Sequence, residues 1–452
     1  MNRLGVRIDV ALLVAIAVSG APAVKVYAAN QPRPPEDAPS PMPMPEGHEM
    51  SNASMSGRGS MDEMMRGALG SYGMTREASG TSWQPDSSMH AGVHVMEGNW
   101  SFMGHALLNG VYDWQQGPRG DTDSFFSGML MGMASRHFGS GDALQFRAMW
   151  SPEPLMGKSG YPLLLATGET ANGTAPLVDR QHPHDQFMEM SAAYSRALGA
   201  ADSLFLYAGL PGEPAFGPPA FMHRQSILDS PEAPISHHWL DSTHIAYGVV
   251  TGGYVHDSWK IEASRFHGRE PDQFRYNIES GALDSTSARL SWNPVREWSL
   301  QASWARQISP EELEPTKNQD RISASAIYTL KFGEHIWWST TAAWGRRRST
   351  GDEALNAYVL ESAVKPADLW TVFARVEREK NNELIVMGPG QGTAFTVAKT
   401  SIGAIRDFRL AGQVKIGIGG LYAFNFVPQS LAPLYGRTDP QGAMAFVRLT
   451  VE

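Results

Sequence analysis

Residues 413–426, QVKIGIGGLYAFNF, constrain this chain most. Val414, Ile416, Ile418, Tyr422, Phe424 and Phe426 share one parity, and Gln413, Lys415, Gly417, Gly419 and Asn425 take the other. A period of two over that length is a β-strand with one apolar face. The pattern recurs. At 284–292, Thr286, Ala288, Leu290 and Trp292 oppose Ser285, Ser287, Arg289 and Ser291. At 321–332, Ile322, Ala324, Ala326, Tyr328, Leu330 and Phe332 oppose Ser323, Ser325, Thr329 and Lys331. About sixteen such segments can be drawn, from 100–115 and 122–138 through to 411–427 and 441–452.

The connections between segments alternate in length. Tight turns follow the even segments, such as Gly139-Ser140-Gly141, His256-Asp257 and Pro366-Ala367. Long loops follow many of the odd ones, including 152–185, 211–241, 268–282 and 428–440. Aromatic residues bracket the tight turns: Trp259, Trp292, Trp298, Phe332, Trp337, Trp338, Trp370 and Phe408. An even strand number, short turns on one side, long loops on the other and an aromatic girdle define an all-β, transmembrane antiparallel β-barrel of about 16 strands. Its place is the outer membrane of a Gram-negative bacterium. With near 16 strands, the interior is wide enough for an aqueous lumen unless loops fill it. Inward-facing Arg289, Arg375 and Glu377 would line it.

Bulk composition agrees. Among 452 residues only 18% are charged, 45 are glycine, and there are 13 Trp, 13 Tyr and 18 Phe. Past the N-terminus no apolar run reaches the roughly 18 residues that a membrane helix needs. The net charge of -9 argues against a nucleic-acid partner. Cysteine is absent, which excludes disulfides, thiolate metal sites and cysteine nucleophiles.

Three domains follow. Residues 1–28 read as a secretory signal peptide: Arg3 and Arg7, an apolar stretch from Val10 to Val24, and Val26-Tyr27-Ala28 at a small-x-small cleavage site. Residues 29–95 read as a disordered periplasmic tail rich in proline, methionine and histidine, because they hold few branched or aromatic side chains. Residues 96–452 form the barrel. The tail carries Met42, Met44, Met50, Met55, Met61, Met64, Met65, Met74 and Met89, with His48 among them. Exposed thioethers suit Cu(I), whereas a low-complexity tether is the plainer reading.

Two outer loops hold most of the histidine. One ends in Asp179, His182, His184 and Asp185; the other carries Met222, His223, His237, His238 and Asp241, with His244 just beyond. Only one hairpin separates them, so they are neighbours at the rim. Imidazole and carboxylate at this density suit Zn(II), Cu(II) or Ni(II). The alternative is that these histidines bond loop backbone and fold the loops inward as a constriction. Pro183 keeps His182 extended, which sends His182 and His184 to one side. No resident cofactor is required, although copper or zinc would fit. No G-x-S-x-G is present and Ser226 and Ser236 complete no visible triad, so a non-enzyme is expected. Arg346-Arg347-Arg348, Arg378 and Lys380 at outer strand ends would either pair with lipid and lipopolysaccharide phosphates or form a plain solvated rim. Inside, the partner is a small solute or a metal ion. Porins are often homotrimers, and no residue here marks a trimer contact.

Several motifs together resemble a family of largely uncharacterised, exported bacterial porin-like proteins: SGTSWQP (79–85), GPRGD (117–121), YPLLLATGET (161–170), VDRQHPHD (178–185), GPPAFMHR (217–224), ISHHWLDSTHI (235–245) and FHGREPDQFRYN (266–277). The resemblance implies a porin-like barrel and brings no catalytic residue. More loosely, the Met-rich leader is similar to that of copper-resistance outer-membrane proteins of the B type. That similarity implies copper as the ion.

Overall fold

The computed structural model describes residues 66–89, 92–333 and 335–452. Residues 1–65 lie outside the described residues. They include the expected signal peptide and Met42, Met44, Met50, Met55, Met61, Met64, Met65 and His48. The strands are β1 (Val93–Glu97), β2 (Trp100–Gln115), β3 (Thr122–His137), β4 (Ala143–Trp150), β5 (Tyr161–Thr170), β6 (Pro176–Gln181), β7 (Phe187–Ala197), β8 (Asp202–Gly212), β9 (Ala246–His256) and β10 (Trp259–Phe266). They continue as β11 (Ser285–Trp292), β12 (Trp298–Gln307), β13 (Gln319–Lys331), β14 (Trp337–Ser349), β15 (Leu355–Ala367), β16 (Trp370–Asn381), β17 (Phe395–Ala411), β18 (Val414–Phe426) and β19 (Gln441–Val451).

Sixteen of these, β2–β4 and β7–β19, pair antiparallel with their neighbours into one closed barrel. The seam is β19 against β2, from Gly442 opposite Gln115 to Val451 opposite Ala106. Below it, β1 pairs with the first residues of β2, Glu97 opposite Trp100 through Val93 opposite Gly104. Closure matters because lipid offers no hydrogen bonds, so a barrel must satisfy every strand from within.

Side chains alternate as the parity requires. Ile261, Leu290, Trp304, Leu360 and Val447 point outward and are exposed, which in a bilayer means toward lipid. Lys260, Glu262, Arg289, Glu361, Arg375 and Glu377 point inward and are buried. Trp259, Trp298, Phe332, Trp338, Trp370 and Phe408 project outward near the short turns, as a girdle would. Trp337 instead faces the lumen and is buried. Arg347 also turns inward, so it cannot serve an outer phosphate; it pairs with Glu383 and lies 4.3 Å over the Trp239 ring.

The lumen is filled. Residues 66–89 do not belong to a structureless tail that runs to residue 95. They pack inside the barrel on the short-turn side. Leu69, Tyr72 and Trp83 form one apolar cluster with Phe205, Tyr207, Val249, Val255 and Phe266 of the wall. Wall side chains bind the segment's backbone carbonyls: Ser195 Oγ and Ser203 Oγ donate to Ala68 and Leu69 (2.6 Å each), and Arg147 donates to Ala78 and Gly80 (2.9 Å each). A polar, aromatic-poor segment thus stays ordered because the wall meets its backbone.

The outer loops fold in from the opposite side. The β4–β7 connection carries the β5–β6 hairpin, and Leu163, Leu164 and Leu165 are fully buried. Tyr161, Leu163, Phe221, Ile227 and Ala233 of the loops join Val111, Phe125, Phe373, Ile405 and Phe446 of the wall in a second core. The helical turn His237–Leu240 lies against β14. Gly345 permits this, because a Cβ there would meet the Trp239 carbonyl oxygen at 2.3 Å.

Trp83 anchors the short-turn plug: its ring meets Tyr72 edge-on at 5.1 Å, and Arg76 stands 4.8 Å over it. Trp83→Ala should remove about 3–5 kcal/mol from this packing. Trypsin should then cut after the otherwise buried Arg76 in folded protein, while wild type resists at that site; equal resistance would show that Trp83 does not hold the plug.

Candidate functional site

The two histidine-bearing loops meet inside the barrel. His182 lies 5.6 Å from His238 and 6.5 Å from His237, ring centre to ring centre. His184 and His237 each lie 5.1 Å from His244. The Phe221 ring packs against His184, His237 and His244. Five imidazoles therefore share one buried cluster. Two histidines flank Pro183 and send their rings into the same place, as the extended backbone implies. Gly168 is needed here, since a Cβ would meet the His238 ring at 2.6 Å.

Four of the five rings have an anchor, and neither ring nitrogen of His238 has a hydrogen-bond partner. His184 Nδ1 donates to Glu153 Oε2 (2.8 Å), and His237 Nδ1 donates to Asp241 Oδ1 (2.8 Å). His244 Nδ1 donates to the Asp241 carbonyl (2.7 Å). His182 Nδ1 is 3.3 Å from the Pro183 carbonyl, and its Nε2 is 3.2 Å from Glu169 Oε1. Burial pushes Glu169 up to about 8 against the opposing Arg275 charge, so a proton on Glu169 can face His182 Nε2. First burial, then neighbouring arginine or histidine side chains, push His182, His238 and His244 well below the usual imidazole range. These rings are neutral at physiological pH. The Nε2 atoms of His184, His238 and His244 are buried without a hydrogen-bond partner.

Other sequence-marked residues lie elsewhere. Asp179 takes Arg119 (3.2 Å), the Leu165 amide (2.7 Å) and the Tyr435 hydroxyl (3.0 Å). Asp185 takes Arg275 (3.2 Å) and Tyr247. Both carboxylates are occupied as structural acceptors. His223 leaves the cluster for a cavity on the short-turn side. As the side chains stand, no group of three or more His, Asp or Glu among the described residues is disposed to hold a metal ion. Ser226 Oγ sits 2.7 Å from Thr341 Oγ1, and Ser236 Oγ donates to Glu377 Oε1 (2.7 Å), so neither serine bonds an imidazole.

A buried ion network ties the loops to the wall. Arg224 donates to Glu361 through Nε (2.7 Å) and Nη2 (2.8 Å), and to Asp241 through Nη1 (2.5 Å). Glu361 also accepts from Arg375 Nε (3.1 Å). Lys399 pairs with Glu232 at 2.5 Å, and Glu377 accepts from Ser236. Burial works against the Asp241 carboxylate, but Arg224 and His237 outweigh it and hold it well below the usual carboxylate range. Sequence parity marks Glu361 as a charge facing the lumen. Nothing local to Glu153, Glu169 or Arg224 announces their partners, which come from distant chain.

Among solved structures the fold resembles porins. Salmonella typhi OmpF in complex with daunomycin matches at 10% identity and TM-score 0.50, covering 79% of this chain and all of that one. Pseudomonas putida OprB (high pH structure) matches at 9% identity and TM-score 0.47, covering 78% and 94%. The anion-selective porin of Comamonas acidovorans matches at 12% identity and TM-score 0.44, covering 78% and 99%. No protein-family model and no curated protein matches the chain. At such identities the likeness is one of fold. The protein is a sixteen-stranded barrel of the Gram-negative outer-membrane type.

His223 offers a test by pH. Burial first, then Arg147 and His105, push it down to about 3. A histidine depressed on folding contributes stability that is whole above the unfolded value near 6.5 and is lost as pH falls toward the folded value. Wild type should lose stability between about pH 6.5 and pH 3. His223→Gln should flatten that slope in thermal melts of the detergent-solubilised barrel; an unchanged slope would contradict the assignment.

Proposed function

We propose that the protein is an outer-membrane passage for small solutes that rests closed, and that its histidine-bearing loops are the gate. One observation carries this reading: a barrel of porin size holds its two largest loops inside the lumen by ionic contacts rather than by apolar packing alone. Arg224, Glu361 and Arg375 form the latch between loop and wall. Buried pairs of this kind add little net stability over apolar packing, but removal of one partner costs about 3–5 kcal/mol. Such contacts suit a device that must hold one state and be released from it.

A metal-linked form of the same reading is supported by the buried Nε2 atoms of His184 and His244, which have no hydrogen-bond partner. Anchoring each Nδ1 to oxygen is how proteins orient imidazoles toward a metal. Zn(II) or Cu(II) would have to draw a third donor into place, with His237 the nearest. The similarity of the Met-rich leader to copper-resistance outer-membrane proteins of the B type points the same way. A homotrimer would fit a passage of this kind.

Glu361→Gln should separate loop from wall. Planar-bilayer recordings of refolded wild type should show rare or small openings, and the variant should conduct several-fold more often. Zn(II) should alter wild-type openings and leave His184→Ala/His237→Ala openings unaffected. A variant that conducts no more than wild type, while keeping the heat-sensitive gel migration of a folded barrel, would remove the latch. Steady large conductance from wild type would mean that the loops are no gate at all.

A further inference from the structure

The inward face of β2 and β3 carries sulfur where most of the barrel carries charge or hydroxyl. In the antiparallel register Met103 stands directly opposite Met133, and His105 directly opposite Met131. Residues two apart on one strand share a face, and directly opposed Cβ atoms lie about 4.5–5.5 Å apart. Three thioethers and one imidazole therefore occupy a single patch of the lumen wall. They line a cavity of about 390 Å3 on the short-turn side, which the plug residues Met74 and Met89 also border. His105 is 7% exposed, and its Nδ1 has no hydrogen-bond partner.

We propose that this cavity is a binding site for a soft monovalent cation, Cu(I) or Ag(I), with Met103, Met131, Met133 and His105 as its donors. The inference is independent of the gate and of the loop histidines. Thioether sulfur with one imidazole is a donor set that soft, singly charged ions accept and that Mg(II) or Ca(II) reject. Unbranched methionine side chains can rotate to converge on an ion without backbone movement. Methionine also serves as a packing filler, but filler closes space, whereas this patch borders room for an ion and surrounds an unbonded imidazole nitrogen. Charged groups bordering the space already have partners: Arg147 is spent on the Ala78 and Gly80 carbonyls and stands 3.7 Å from Glu189, Arg448 pairs with Asp229, and Lys415 pairs with Glu452. A methionine-rich stretch, residues 42–65, precedes the plug in the chain and carries the same donor type.

The test uses full-length refolded protein, because residues 42–65 can bind the same ions. Anaerobic Cu(I) titration against a chromogenic Cu(I) chelator should give one tight equivalent more in wild type than in Met103→Leu/Met131→Leu/Met133→Leu. Leucine keeps the volume and removes the sulfur. His105→Asn should weaken that equivalent by at least about tenfold, the lower bound for loss of a metal site's supporting group. In wild type labelled with 13C at methionine methyls, Ag(I) should shift the resonances of Met103, Met131 and Met133, which single Leu variants identify. This readout holds even if the triple variant fails to fold. Equal Cu(I) stoichiometry and affinity in a folded triple variant, or three unmoved resonances in wild type, would reduce the patch to packing. A wild type that binds the ion but never conducts would overturn the passage and leave this site standing.

Discussion

A bilayer satisfies no backbone hydrogen bond, and the rest of this structure depends on how the chain meets that constraint. Sixteen strands achieve it by pairing β19 with β2 over ten residue pairs. Once the wall is closed, outward positions are free to be apolar, and Ile261, Leu290 and Val447 are. Inward positions then face a space too wide for wall side chains to fill. Everything distinctive about this protein is a solution to that second problem.

The solution is unlike a bare aqueous pore. Residues 66–89 enter from the short-turn side, and the β4–β7 and β8–β9 connections enter from the other. Each insert brings its own apolar cluster and is tied to the wall through charged or hydroxyl side chains: Ser195, Ser203 and Arg147 for the plug, Glu361 and Arg375 for the loops. The histidine cluster forms where the two loops touch. His182, His238 and His244 are neutral because burial outweighs the carboxylates around them. Neutral rings pack closely without repulsion and remain able to take a proton or an ion.

Much of the wall was readable in the sequence. Parity of side chains placed Leu290 and Ile418 on the apolar face, which is the outward one, and Arg289, Arg375 and Glu377 inside. Predicted segments such as 100–115 and 122–138 coincide with strands to within a residue. The plug was not readable. Its composition resembles a disordered tail, and what orders it is supplied by wall residues such as Arg147 and Ser203, 67 to 134 positions away. The site was half legible. Density of histidine marked His182, His184, His237 and His238, whose rings lie in one cluster, together with His223, which does not join them. Asp179 and Asp185 pair with Arg119 and Arg275, partners remote in sequence that no local pattern marks. The sulfur patch on β2 and β3 could have been found from parity alone, since Met103, Met131 and Met133 share the inward positions of adjacent strands.

The central claim is that the loops occupy the lumen at rest. A chain without cysteine is a clean background for testing it. Ser226 is fully buried in the loop, and Leu155 is 68% exposed. Single Ser226→Cys and Leu155→Cys variants, folded in the outer membrane of whole cells, can be treated with a membrane-impermeant thiol reagent. Rapid labelling at position 155 and protection at position 226 is the outcome expected of a closed lumen. Labelling at 226 as fast as at 155 would place the loops outside the barrel and contradict the account.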